Sequence, residues 1–171
     1  MQGIILGTKK KNYGERLFAL VDDEDYEMLN KIPWHAIKSK SGKLVYASHL
    51  TKNNQRVYMH EMIIGLKPGL IVDHKDGDGL NNQSGNLRLC NQQQNQMNQR
   101  VNTKTSSIYK GVSWSKHDKV WVSYIYHNYK RRHLGSFVSE LSAAKEYNVA
   151  ALDMFGEFAR LNILAEPLKQ Y

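Results

Sequence analysis

Cysteine is nearly absent from this 171-residue chain; Cys90 is the single one. One thiol excludes an intramolecular disulfide, and there is no Cys-x-x-Cys pair to hold a structural zinc. Long apolar runs are missing too. No stretch approaches the ~20 apolar residues that span a bilayer. The amino-terminal "MQGIILGTKKKNYGERL" has no apolar core followed by small residues, so it does not read as a secretory signal. These absences imply a soluble protein of a reducing compartment with no membrane partner. Two familiar motifs also fall short by a few residues. "HEMII" opens like the zinc-protease helix, but its fifth position is Ile64 rather than His. An EF-hand alignment starting at His74 puts Asp76, Asp78 and Gly79 in suitable places. It also puts Asn81 where an apolar residue belongs and Gly85 where a bidentate Glu is required. The calcium reading fails, and Asp76-Gly77 and Asp78-Gly79 read instead as tight-turn chemistry.

What the chain does have is an excess of positive charge. Lys and Arg number 24 against 16 Asp and Glu, a net charge of +8. Residues 1–60 carry 10 basic and 6 acidic side chains, residues 61–100 carry 4 and 4, and residues 101–171 carry 10 and 6. Two basic flanks around a neutral centre favour an anionic partner, most simply a nucleic acid.

Local patterning predicts an α+β protein. "RLFALV", "WHAIK", "KLVYASHL" and "RVYMHEMII" read as strands, with Ser41-Gly42 as a hairpin turn. "DDEDYEMLNKI" reads as a short helix capped by Asp22 or Asp23, its acidic run compensating the helix dipole. "GLIVDH" and "NLRL" read as strands around a polar loop. Asn and Gln fill 13 of the 22 positions from Asn81 to Asn102. A helix is expected there from about Cys90 to Arg100, then a polar linker ending near Ser107. "YKGVSWS", "KVWVSYIYH" and "KRRHLGSF" read as three further strands separated by "KHDK" and "NYK" turns. "SELSAAKEYNVAALDMFG" reads as a helix with Ser139 as cap and Gly156 as stop. Its face of Ala143, Ala144, Tyr147, Ala150, Ala151 and Met154 suits close packing on a sheet.

The order strand, loop, strand, helix, with Asp73-His74, then Asn86 twelve residues after the His and Asn95 nine residues further, resembles the HNH nuclease module. Phage-type HNH homing endonucleases are similar over about residues 58–102. The chemistry suits phosphodiester cleavage. A neutral imidazole accepts a proton from the attacking water, and oxygen ligands suit a hard cation that offsets charge on phosphorus and the leaving oxygen. The resemblance implies His74 as general base, Asp73 and Asn95 as ligands of one Mg²⁺ (or Mn²⁺), and Asn86 pinning the loop and orienting the His. Without paired cysteines, no structural zinc is expected, and the module must lean on neighbouring protein for its core. His60 stands where related sequences often carry a His, and would serve as a phosphate contact or a structural hydrogen bonder.

The segment "YKGVSW…KVWVSYIY…KRRHLGSF…SAAKEYNVAALDMFGEFARLN" is similar to the plant ethylene-response-factor (Apetala-type) DNA-binding domain over about residues 107–162. Such domains lay their sheet in the major groove. Alternation places Val112, Trp121, Ser123 and Ile125 toward the helix. The other face offers Lys110, Ser113, Ser115, Tyr124, Tyr126, Arg131 and His133, with Lys116, Lys130 and Arg132 as further contacts. Several of those places are Arg in the plant pattern, so fewer bidentate guanine contacts are expected.

Together these readings predict an endonuclease acting on double-stranded DNA in the cytoplasm of a bacterial or phage-infected cell. Residues 1–103 would form the amino-terminal strands and nuclease module, and residues 104–171 the DNA-binding domain. A non-catalytic DNA-binding regulator on the same scaffold, and an RNA-directed protein, are the rival readings.

Overall fold

The computed structural model describes residues 1–7, 16–39, 42, 44–99, 106–128 and 130–164. The chain divides into two compact units, Met1–Gln92 and Gln93–Tyr171. The expected boundary, 103/104, and the linker expected before Ser107 fall on residues 100–105, outside the described residues. No helix among the described residues is long and apolar enough to cross a membrane.

In the first unit, β1 (Gln2–Ile5) pairs antiparallel with β2 (Phe18–Val21). Helix α1 (Asp23–Leu29) follows directly. A three-stranded antiparallel sheet comes next: β3 (His35–Lys38), β4 (Val45–Leu50) in the centre and β5 (Arg56–Tyr58). Of the expected hairpin turn, Ser41 lies outside the described residues, while Gly42 has the left-handed backbone, φ 71°. The core joins these pieces through Ile4, Leu6, Ala19, Val21, Leu29, Trp34, Ala47 and Met59.

One expected strand is corrected here. "RVYMHEMII" is strand only to Tyr58; Met59–Ile64 is helix α2. Met59 is fully buried and Ile63 packs on the same core. That four-residue spacing fits one face of a helix. Glu61 accepts a hydrogen bond from the Tyr58 backbone N–H at 3.3 Å, which satisfies a donor at the helix start.

The strand, loop, strand order is as expected. Strand β6 (Ile71–His74) pairs antiparallel with β7 (Leu87–Cys90), a 3-10 turn over Ser84–Asn86 preceding β7. Strand β2 grips the loop between them: Leu20 N–H donates to Leu80 O, and Asn82 N–H donates to Leu20 O, both at 2.8 Å. Thus the amino-terminal strands supply the support that the short hairpin cannot give itself.

Helix α3 (Gln92–Met97) is shorter than the expected Cys90–Arg100. In the second unit Met97 packs against the cluster of Ile125, Tyr147, Ala151 and Phe155. Strands β8 (Val112–Ser115), β9 (Val120–His127) and β10 (Lys130–Phe137) form an antiparallel sheet with β9 central. Helix α4 (Glu140–Phe155) covers it; Ser139 Oγ accepts from Ser142 N–H at its start and Gly156 follows its end. Buried Ala143, Ala144, Tyr147 and Ala151 form its inner face. A Cβ on Gly111 would stand 2.0 Å from the Tyr147 ring, so only glycine permits this approach of backbone to helix. Asn162 locks the tail by exchanging hydrogen bonds with the Lys110 backbone and with Asn148.

Candidate active site

Successive residues of β6 point to opposite faces of the hairpin, so Asp73 and His74 serve different surroundings. Asp73 pairs with Arg88 across the strands, and His74 with Leu87. Both side chains are buried, at 6% and 5% exposure. Arg88 Nη2 and Nε donate to Asp73 Oδ2 at 2.8 and 3.0 Å. The sequence reading did not single out Arg88. Its only signal was a basic residue on the returning strand, in register with the acid.

His74 is held by a residue that the sequence reading also missed. Asn82 is fully buried, and its Nδ2 donates to Leu80 O at 3.1 Å. That bond turns Asn82 Oδ1 toward His74 Nε2, 3.5 Å away. An amide oxygen only accepts, so this contact favours the tautomer with the proton on Nε2, which leaves Nδ1 as the basic nitrogen. Burial lowers the His74 pKa below its ordinary value of 6.5, favouring the neutral base.

Asn86 bonds to the loop at several points. Its Oδ1 accepts from Asp76 N–H, its Nδ2 donates to Asp76 Oδ1 and to Asn81 O, and its backbone O accepts from Lys75 N–H. Orientation of the imidazole through Asn86 is corrected: the amide bonded to the ring is that of Asn82. In a segment so rich in Asn, spacing alone does not say which amide turns inward.

The two Asp-Gly pairs differ. Gly77 has φ 73°, the left-handed turn expected. Gly79 instead marks a close approach, since a Cβ there would lie 2.4 Å from Val45 O and 2.5 Å from the Tyr46 ring. The loop thereby seats on β4, and Tyr46 packs against both His60 and His74, at 5.6 and 5.8 Å between ring centroids. Asp22 completes the seat. The residue before α1 makes no side-chain cap bond; its carboxylate accepts from Ser84 N–H, Ser84 Oγ–H and Gln83 Nε2–H. The hydrogen bonds from Ser84 hold that carboxyl below its usual pKa. The expected dipole role is left to Asp23, Glu24 and Asp25 in the first turn.

His60 stands on α2, 8% exposed, stacked on Tyr58 at 5.3 Å and edge-on to His74 at 4.9 Å. Burial, and then the charge of His74, push its pKa down to about 3. A buried imidazole that stays neutral would meet a phosphate only as a hydrogen-bond donor and not as a cation. His60 builds the wall behind His74. Its Nδ1 has no hydrogen-bond partner among the described residues.

Asn95 lies on α3, in the second unit, and is half-buried. Among the described residues no three His, Cys, Asp or Glu side chains cluster as a metal-ligand set. The carboxylate next to His74 in sequence is that of Asp73, whose Oδ2 accepts both Arg88 hydrogen bonds. A single carboxylate suits a cation that keeps most of its waters. Cys90 is buried, its thiol pushed up to about 11 by that burial, which disfavours the thiolate.

In the second unit the register sorts the expected contact residues. Arg131 pairs with Tyr126 and His133 with Tyr124, on the face away from α4. The Arg131 guanidinium lies 4.1 Å above the Tyr124 ring centre. Ser113 is on the same face of β8 as its partner Val122, with Ser115 two residues on, and Lys116 is exposed just beyond. Arg132 pairs with Ile125, whose side chain is buried, so Lys130 and Arg132 project from the opposite face at the strand's exposed end. Lys110 precedes β8, and its Nζ donates to Met97 O. Burial lowers its pKa to about 8, so this cation is committed inside its own unit.

The HNH endonuclease family pattern matches residues 57–97, from the end of β5 to the end of α3. An uncharacterized HNH endonuclease of Acanthamoeba polyphaga mimivirus is 34% identical over 151 residues, covering 87% of this chain and 76% of the relative. The chain belongs to the HNH endonuclease family. Protein 3.8 of Escherichia phage T7 is 31% identical to this HNH-family chain over 97 residues, covering 54% of the chain and 75% of the relative. No solved structure matches it. HNH nucleases generally use a divalent metal ion, and the matched segment holds Asp73, His74, Asn82, Asn86 and Asn95.

Proposed function

We propose that this chain is a metal-dependent endonuclease of the homing type that hydrolyses phosphodiester bonds in double-stranded DNA with His74 as general base. The observation that carries the reading is the state of His74: buried, favoured neutral, and bonded through Nε2 to a fully buried amide, with Asp73 preceding it on the strand. As a water attacks phosphorus, its proton passes to His74 Nδ1, the new P–O bond forms, and the bond to the 3′ oxygen breaks. Asn82 holds Nε2–H and so stabilises the imidazolium that results. The His60 and Tyr46 rings keep the imidazole from rotating away. Asp73 and Asn95 would hold one divalent cation, Mg²⁺ or Mn²⁺, which when bound supplies positive charge for the phosphorane and the leaving oxygen. Arg88 fixes the Asp73 carboxylate from the other side.

The test is cleavage of supercoiled plasmid and random-sequence DNA pools with Mg²⁺ added or withheld. Nicked or linear product is expected with Mg²⁺, and its loss with EDTA, while the melting temperature stays within a few degrees. No cleavage under any divalent metal would defeat the reading. A large fall in melting temperature on chelation would point to a structural metal instead.

The second unit would bind the DNA, as its likeness to ethylene-response-factor domains implies. The supporting observation is the open sheet face of Tyr124, Tyr126, Arg131 and His133, with a guanidinium already stacked on an aromatic ring. Arg131→Ala is expected to weaken duplex binding three- to tenfold. If Arg131 meets a phosphate, the slope of log affinity against log salt should fall by about 0.9. If it meets a base edge, preference should relax at one position instead. Arg132→Ala, on the other face, should do less. Parental affinity in the Arg131→Ala protein would remove the open face from the binding surface.

A further inference from the structure

Residues 31–60 carry six Lys and Arg and no Asp or Glu. This is the segment of β3, β4 and β5, and nothing in the chemistry at His74 uses its charge. Its sheet borders a half-open cleft of about 530 Å³, lined among others by His35, Lys38, Ser48, His49, Leu50 and Arg56. Among the described residues that line the cleft, none is acidic. We infer that this cleft is a nucleic-acid contact in its own right, taking a backbone phosphate of the substrate strand a few nucleotides from the cut. The inference rests on the endonuclease reading and adds a binding subsite within the catalytic unit.

The register shows why the cleft belongs with the active site. Ile37 pairs with Tyr46, His35 and Tyr58 with Ser48, and Arg56 with Leu50, so all seven share one face of the sheet. The opposite face, with Ala36 and Ala47, goes to the core. On the shared face, Tyr46 and Tyr58 carry the rings that pack on His60 and His74. Four residues of β4 separate Tyr46 from Leu50, about 13 Å of strand. A straight line of that length spans only a few nucleotides of one strand, because the backbone winds round the duplex axis, so Arg56 would meet a phosphate within a few nucleotides of the one at His74.

The side chains suit the ligand. Arg56 is exposed, and its Nη1 donates to the buried Ser48 Oγ at 3.3 Å, which anchors one corner of the guanidinium. A guanidinium has five N–H donors in a fixed fork, suited to a phosphate's paired oxygens. Lys38, which pairs with Val45 and so leaves the end of β3 on the other face, also lines the cleft as a second cation, and Leu50, about half exposed, offers an apolar surface to a sugar or base.

The test uses the full chain and a labelled duplex. Arg56→Ala is expected to raise Kd about tenfold at low salt and to flatten the salt slope by about 0.9, with Arg56→Lys keeping the slope. Lys38→Ala should act in the same direction if Arg56→Ala disturbs folding. A photo-crosslinking amino acid at Leu50 should attach to nucleotides within a few of the cut. If the unaltered protein cuts DNA while folded variants at both positions bind with parental affinity and slope, the cleft inference is wrong and the endonuclease reading stands. Crosslinks far from the cut would overturn it as well. An unaltered protein that neither binds nor cuts DNA would overturn both.

Discussion

Replacing His74 by alanine is expected to slow metal-dependent DNA cleavage by about two to four orders of magnitude, the usual contribution of a positioned general base. Duplex binding should change little, because the side chain is buried and favoured neutral and therefore contributes no phosphate charge. Truncation also strands Asn82 Oδ1 in a fully buried place, which costs about 1–3 kcal/mol of stability. Turnover should therefore be measured well below the variant's melting temperature. A His74→Ala protein that cuts as fast as its parent would move the proton acceptor elsewhere, and His60, 4.9 Å away, would be the first place to look.

Acid should destabilise the protein well before its carboxylates titrate. The folded chain holds His60 near a pKa of about 3, whereas the unfolded chain restores the ordinary 6.5. As pH falls between those values the unfolded state takes up a proton that the folded state refuses. The contribution of His60 is thus complete above about pH 6.5 and lost progressively toward pH 3. One such group gives a slope of about 1.4 kcal/mol per pH unit, or roughly 2–3 kcal/mol between pH 6.5 and 4.5. His74, whose pKa burial also lowers, acts with the same sign. His60→Phe keeps a ring against Tyr58 and removes both the titration and an Nδ1 that has no partner among the described residues, so its acid limb should be much flatter. Urea midpoints from pH 8 to 4.5 decide the matter. A flat parental profile, or an equal slope in His60→Phe, would count against the buried neutral imidazole.

The strand from Ile71 to His74, the loop and the return through Leu87–Cys90 were legible because their causes are local. Turn-forming Asp, Gly and Asn residues lie between two short apolar runs, so the hairpin follows from nearby residues. The same holds for the second unit, whose alternation, Ser139 cap and Gly156 stop are written into adjacent residues. Charge was legible as well, since it only requires counting. What the chain alone did not decide was which of two local options the tertiary structure would select. "RVYMHEMII" is a short apolar run that suits strand or helix; burial of Met59 in a core built from β1, β2 and α1 selects the helix after Tyr58. Asn82 and Asn86 are four residues apart in an amide-rich segment, and only the bonds from Leu20 across the loop determine that Asn82 faces the imidazole. Asp22 meets Ser84 across 62 residues, Gly79 meets β4, and Arg88 meets Asp73 across a strand pair. Composition, turn chemistry and residue spacing determined the kind of site. Long-range packing decided its neighbours, because the energy of a buried hydrogen bond depends on partners that the linear order does not bring together.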